Sequence, residues 1–126
     1  MPISYNFPGA ADVIDWFGAW PSFHDAEIVS LELNRVGTSI LKVHAFSSRT
    51  KHAIVSFLLY DIVTIHLDDF NHQNVIFDLK ILRNPEGYEI LLAPCYGLSG
   101  SIVAKQIQVT LEPGIPEGSV YAKDQR

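Results

Sequence analysis

The sequence predicts an α+β fold that is predominantly β: a short N-terminal helix followed by six or seven mostly antiparallel strands in a bent sheet or small sandwich. Three observations point there. The hydrophobic period changes from helical to two near Ala26 and stays at two for most of the remaining chain. Gly, Pro, Asn and Asp cluster between the alternating segments, as turns require. A length of 126 residues suits one domain with one core, compact over 1–111 and ending in a flexible tail over 112–126.

The helix is read over residues 8–17, where Pro8 takes the first turn, Asp12 lies early, and Val13, Ile14, Trp16 and Phe17 form an apolar side. Gly18 and Pro21 end it. In the first strand Val29, Leu31 and Leu33 oppose Ser30, Glu32 and Asn34; in the second, Leu41, Val43 and Ala45 oppose Lys42 and His44. Val36-Gly37-Thr38 joins them as a hairpin. Residues 52–60 are apolar on both faces, as a central strand would be, and Val63, Ile65 and Leu67 then alternate with Thr64 and His66, as one bent strand or two. After the polar loop 68–72, Val75, Phe77, Leu79 and Ile81 oppose Asp78 and Lys80, and Asn84-Pro85-Glu86-Gly87 turns the chain into residues 88–94. A break at 97–101 precedes the last strand, where Val103, Lys105, Ile107, Val109 and Leu111 oppose Ala104, Gln106, Gln108 and Thr110. Pro and Gly are dense from 112 to 118, which gives the tail.

Bulk chemistry excludes several classes. A formal net charge of −5 and nine scattered basic residues do not suit phosphate binding, so no nucleic-acid partner is expected. The acidic balance suits a basic partner and equally serves solubility. Hydrophobic residues at 48% and charged residues at 18% place the chain among folding domains rather than disordered ones. The single cysteine, Cys95, cannot form an internal disulfide, and no signal-peptide pattern or apolar run of spanning length is present, so a cytoplasmic protein outside the membrane is expected.

No catalytic set declares itself. The five histidines lie 20, 8, 14 and 6 residues apart, unlike the close ligand pairs of zinc sites, so no metal and no cofactor are expected. Ser22, His24 and Asp25, or Cys95 with any histidine, can be listed as hydrolytic groups, but neighbours in a strand point to opposite faces and no nucleophile elbow surrounds a serine. For His24-Asp25 the plainer reading is a turn in which Asp25 accepts backbone N–H groups and His24 packs on Trp20 or Phe23. The glycines of Tyr96-Gly97-Leu98-Ser99-Gly100-Ser101 lie between strands, so a loop is read there rather than a phosphate cradle.

The segment Phe17-Gly18-Ala19-Trp20-Pro21-Ser22-Phe23-His24-Asp25-Ala26-Glu27 resembles the opening of small bacterial proteins of the immunity protein 50 family. Leu67-Asp68-Asp69-Phe70-Asn71-His72-Gln73-Asn74 and Pro94-Cys95-Tyr96-Gly97 look similar to further motifs of that group. This resemblance implies a cytoplasmic, non-catalytic protein that binds and neutralises a cognate protein toxin of a polymorphic toxin system. Under it, Trp20, Phe23, Phe70 and Tyr96 become aromatic anchors and His24, Asp25, Asp68, Asp69 and Asn71 their polar surroundings, although each aromatic could equally be core. The rival reading is a small-ligand-binding domain or small enzyme on a polar sheet face that holds Glu32, His44, His66 and Asp78, with Lys42, Thr64, Lys80, Gln106 and Gln108 beside them. A third is self-association, with an apolar edge such as residues 53–59 completed by a second copy.

Overall fold

The computed structural model describes residues 6–47, 51–119 and 121, in one helix and six strands. Helix α1 spans Ala10–Phe17, two residues shorter at its start than expected. It ends because Gly18 turns left-handed at φ 84° and donates its N–H to the Ile14 carbonyl at 2.7 Å. The strands are β1 Glu27–Glu32, β2 Ser39–Phe46, β3 His52–Asp68, β4 Val75–Asn84, β5 Gly87–Tyr96 and β6 Ser99–Pro113. Of the expected tail, residue 120 and residues 122–126 lie outside the described residues.

All the strand pairs are antiparallel, and in the order β1-β2-β3-β6-β5-β4 they close into a barrel rather than an open sheet or a sandwich. The seam between β1 and β4 is a single paired position, Glu27 with Val75. Backbone bonds from Asp25 N–H to Ile76 O (2.8 Å), Ile76 N–H to Ala26 O (2.8 Å) and Ile28 N–H to Asn74 O (2.9 Å) hold it shut.

Residues 52–60 and 63–67 prove to be one strand, bent where Asp61 takes φ 55° and the register with β6 slips between Ile62 and Thr64. Residues 53–59 are not an edge, since β2 covers one side and β6 the other. The turn at 85–86 falls where expected, with Glu86 N–H donating to Asn84 Oδ1 at 2.9 Å. Only Gly97 and Leu98 separate β5 from β6, so Ser99 to Ser101 already belong to the last strand.

Three faces differ from the simple alternation: in β6 the core set passes from Ile102 and Ala104 to Ile107 and Val109, so Ala104 is buried where the pattern sets it outside. The register of β1 slips between Ile28 and Ser30, which expels Val29 and leaves Ile28 and Leu31 on the core side. In β4 a slip between Ile76 and Asp78 turns Ile76 inward and Phe77 out to solvent, opposite to the face expected for Phe77. One inserted residue reverses the side every later residue occupies, because the strand period is two.

Leu41, Val55, Phe57, Ile81, Ile90 and Ile102 are among the fully buried side chains, each worth about 1.5–3 kcal/mol of apolar transfer. Strand β5 meets β6 only between Gly100 and Ala104, so the far half of β6 lacks a neighbouring strand on that side. The N-terminal segment takes the place: Val109 N–H donates to the Pro8 carbonyl at 2.9 Å, and Phe7, Ala10 and Val13 enter the core. Gly9, at φ 91°, comes so close that a β-carbon there would overlap the Val109 carbonyl oxygen.

Candidate functional site

The chain from Trp20 to Asp25 carries the barrel's aromatic plug into its seam. Phe23 adopts φ 61° and is buried, packed against Trp20 (5.7 Å between centroids) and Phe57 (5.8 Å). Trp20 also meets Phe7 edge-on at 5.6 Å. Phe23 is therefore part of the core and presents no open ring to a partner, while Trp20 is partly buried against it.

A turn follows at once. Ser22 Oγ accepts the His24 N–H at 3.2 Å, and Asp25 takes φ 65°, which brings the neighbouring His24 and Asp25 side chains to the same side. The His24 Nδ1–H donates to the Phe77 carbonyl at 3.1 Å while Nε2 faces Asp25 Oδ2 at 3.6 Å. The ring packs on Phe77 rather than on Trp20 or Phe23 as expected. Among the described residues the donor to Asp25 is not a backbone N–H but the Cys95 thiol, at 3.7 Å, with the Ile76 carbonyl 3.6 Å from the same sulfur.

The order here is thiol, carboxylate, imidazole. Desolvation by the surroundings raises the Cys95 pKa, and the charge of Asp25 and its hydrogen bond raise it further. A nucleophilic cysteine needs the reverse, a base or a positive field that favours thiolate. This trio does not activate its sulfur.

The loop after β3 is organised by Asn74. Its Oδ1 accepts the N–H of Asn71 (3.0 Å) and of Leu98 (2.8 Å), and its Nδ2–H donates to the Asn71 carbonyl (2.8 Å). One buried amide thus fastens the 69–74 loop to the turn between β5 and β6. Gly97, at φ 85°, lies against that amide, with room only for a hydrogen. Nearby the rings of His72 and Tyr96 meet edge-on at 6.5 Å. The three sequence segments quoted above therefore converge, through Asp25 with Cys95, His72 with Tyr96, and Asn74 with Gly97.

Phe77, against the His24 ring, and Tyr96, against the His72 ring, are 56% and 49% exposed, and Phe70 in the 69–74 loop is 59% exposed. Asp68, Asp69 and Asn71 are exposed beside them in sequence. Phe77 was missed by alternation because only the bulge in β4 puts it outside, and no composition signal marks a bulge. Next to the cluster a cleft of about 360 Å³ opens between β1, the 72–75 segment and the C-terminal segment. Asp25, Glu27 and Glu117 line it together with His72, Ser119 and Tyr121, and among the described residues no lysine or arginine does so.

Glu27 leads from the cleft into the interior. The His44 Nδ1–H donates to Glu27 Oε1 at 2.7 Å, and the Ser119 hydroxyl donates to the same oxygen at 2.6 Å. On its other side His44 Nε2 lies 2.9 Å from His52 Nδ1, and the two rings stack. With its hydrogen on Nδ1, a neutral His44 accepts at Nε2, so His52 Nδ1–H is the donor. Phe46 and Tyr121 enclose the pair. His44 is 0% exposed, so it does not sit on a water-facing polar sheet.

The rest of that expected face does not assemble. Glu32 accepts from Asn34 Nδ2 at 2.7 Å, Asp78 faces Lys80 at 3.7 Å, and His66 lies at the opposite end of β3 from His52. Among the described residues no group of three or more His, Cys, Asp or Glu is placed to hold a metal ion. Glu27 and His52 approach opposite nitrogens of His44, so these three cannot share one ion.

Compared with protein-family models, with curated proteins and with solved structures, the chain finds no match. No helix among the described residues is long and apolar enough to cross a membrane.

Proposed function

We propose that this chain is a non-catalytic protein-binding domain whose working surface is the exposed cluster of Phe70, Phe77 and Tyr96 beside the acidic cleft. More particularly, it is read as an immunity protein that binds and neutralises a cognate bacterial toxin in the cytoplasm, as the resemblance to the immunity protein 50 family implies. The observation that carries this reading is the convergence of three sequence-distant segments on one side, where large aromatics stand in solvent next to carboxylates. Interface hot spots have that composition, aromatic anchors that exclude water ringed by polar groups.

The division of labour follows from physics. The rings supply most of the affinity by burial, and Asp25, Asp68 and Asp69 attract a basic partner and orient it before contact. The site rests on rigid supports, since Asn74 and the barrel seam fix its loops, so little ordering entropy is lost on binding.

The test is kinetic. With the partner captured from the organism's own lysate and purified, Asp68→Lys and Asp69→Lys together should slow association about tenfold or more at low salt, with the unfolding midpoint unchanged. An association rate that ignores both substitutions and the salt concentration contradicts the steering role.

A further inference from the structure

Along β2 the side chains of Leu41, Val43 and Ala45 enter the core, so His44, between Val43 and Ala45, points outward from the barrel wall. It is nevertheless fully buried. What covers it lies outside the wall: Glu27, its cross-strand neighbour on β1; His52 of β3, which pairs with Phe46; and Ser119 and Tyr121 of the C-terminal segment. That segment is fastened at the same place. The Ser119 hydroxyl donates to Glu27 and accepts the Tyr121 N–H at 3.1 Å, and the Tyr121 ring packs on Phe46 at 4.8 Å and on both imidazoles at 5.7 Å.

The direction of these hydrogen bonds limits how many protons the closed arrangement holds. His44 Nδ1–H is directed to the Glu27 carboxylate, and His52 Nδ1–H to His44 Nε2. A first added proton, on His52 Nε2, leaves both bonds in place. A second has only His44 Nε2 to take. Two N–H groups would then face each other across 2.9 Å with no acceptor between them, on two cationic rings stacked 5.1 Å apart. With the segment lifted, His44 meets water and both rings can be charged. The lifted state therefore binds one more proton than the closed one, so falling pH favours it.

The other charged groups nearby are engaged differently. Lys51, next to His52, sets its ammonium 4.0 Å over the Trp16 ring, Glu112 of β6 stands opposite Ile54, and Asp25 and Glu117 line the same cleft as Glu27.

We infer that the His44–His52 pair is an acid-sensitive latch, which holds Ser119 and Tyr121 on the barrel while the pair carries at most one positive charge and releases them when both rings are protonated. Glu117, Ser119 and Tyr121 line the acidic cleft, so release takes away one wall of it. The latch does not depend on what the surface around Phe77 and Tyr96 binds.

A nuclear magnetic resonance titration of the full chain from about pH 8 to about pH 4 tests it. Contacts between the Tyr121 ring protons and those of His44 and His52 should survive the first histidine protonation and fall about tenfold or more with the second, while the β3 and β6 amides keep their shifts. His52→Gln removes the conflict, since a side-chain amide donates to a neutral His44 and, turned over, accepts from a charged one; it should keep the Tyr121–His44 contact across the range. Ser119→Ala takes one fastening from the segment without touching either ring, and should move release to higher pH by about half a unit or more. Contacts that persist to the acid end in the unaltered chain, that vanish at the same pH in His52→Gln, or that vanish only as the whole barrel unfolds overturn the inference, as does a release pH that Ser119→Ala leaves unmoved.

Discussion

His44 and His66 have the same side chain and alternate strand positions that read alike in sequence, yet their surroundings differ completely. His44 is fully buried between Glu27 and His52, whereas His66 is exposed. Removing the first takes one hydrogen bond from the part-buried Glu27 carboxylate and one from the buried His52 ring, and empties a fully buried site between them. His44→Ala should therefore lower stability by about 2–4 kcal/mol in urea unfolding, and His66→Ala should stay within about 0.5 kcal/mol. Equal effects would mean that the Glu27–His44–His52 chain is not formed. Cys95 gives a second residue-scale prediction. Its raised pKa means that thiolate accumulates only above the ordinary thiol range, so alkylation should be slow at neutral pH and its rate should rise late. Asp25→Asn removes the charge contribution but not the desolvation, and should shift that rise part of the way down in pH. A profile unchanged by the substitution would remove Asp25 from the account.

At the level of the elements, the hairpin at 84–87 and β2 were legible because alternation and turn chemistry agreed there, whereas β6 was legible as a strand but not in its faces, since Ala104 enters the core where the pattern sets it outside. The slips at Val29, Asp61 and Phe77 were not, since a bulge inserts one residue without changing composition. The consequence is measurable in β4. Ile76→Ala should cost about 2–4 kcal/mol and Phe77→Ala less than about 1 kcal/mol, the reverse of what uninterrupted alternation demands. If Phe77→Ala proved the costlier change, the register of β4 assigned here would be wrong. Trp20 and Phe23 show the opposite limit of sequence reasoning. Their segment was singled out correctly as a junction, but aromatic identity alone could not separate a plug in the core from an anchor in solvent.

For the whole molecule, closure of the barrel is what makes a site out of segments that are far apart in sequence. The seam at Glu27 and Val75 brings the end of the aromatic plug beside the loop held by Asn74, and the β5–β6 turn completes the group. His24, Asp25, Asn71 and Tyr96 could be named from the sequence, as could Asp68, Asp69 and Phe70 beside them in the chain, but the approach of Asp25 to Cys95 and of Asn74 to the β5–β6 turn could not, because it is set by strand order and by side-chain bonds across tens of residues. Glu117, Ser119 and Tyr121 were hidden in what read as tail, and they border the cleft. Neutralisation of a protein toxin by this surface, as proposed, would be read in growth. The partner captured by the chain would be expressed alone, with the chain, and with a Phe70→Ala/Tyr96→Ala variant whose folding is verified. The account predicts arrest by the partner alone, rescue by the unaltered chain, and loss of rescue with the variant. A partner that is harmless when expressed, or rescue that the variant performs equally well, would contradict it.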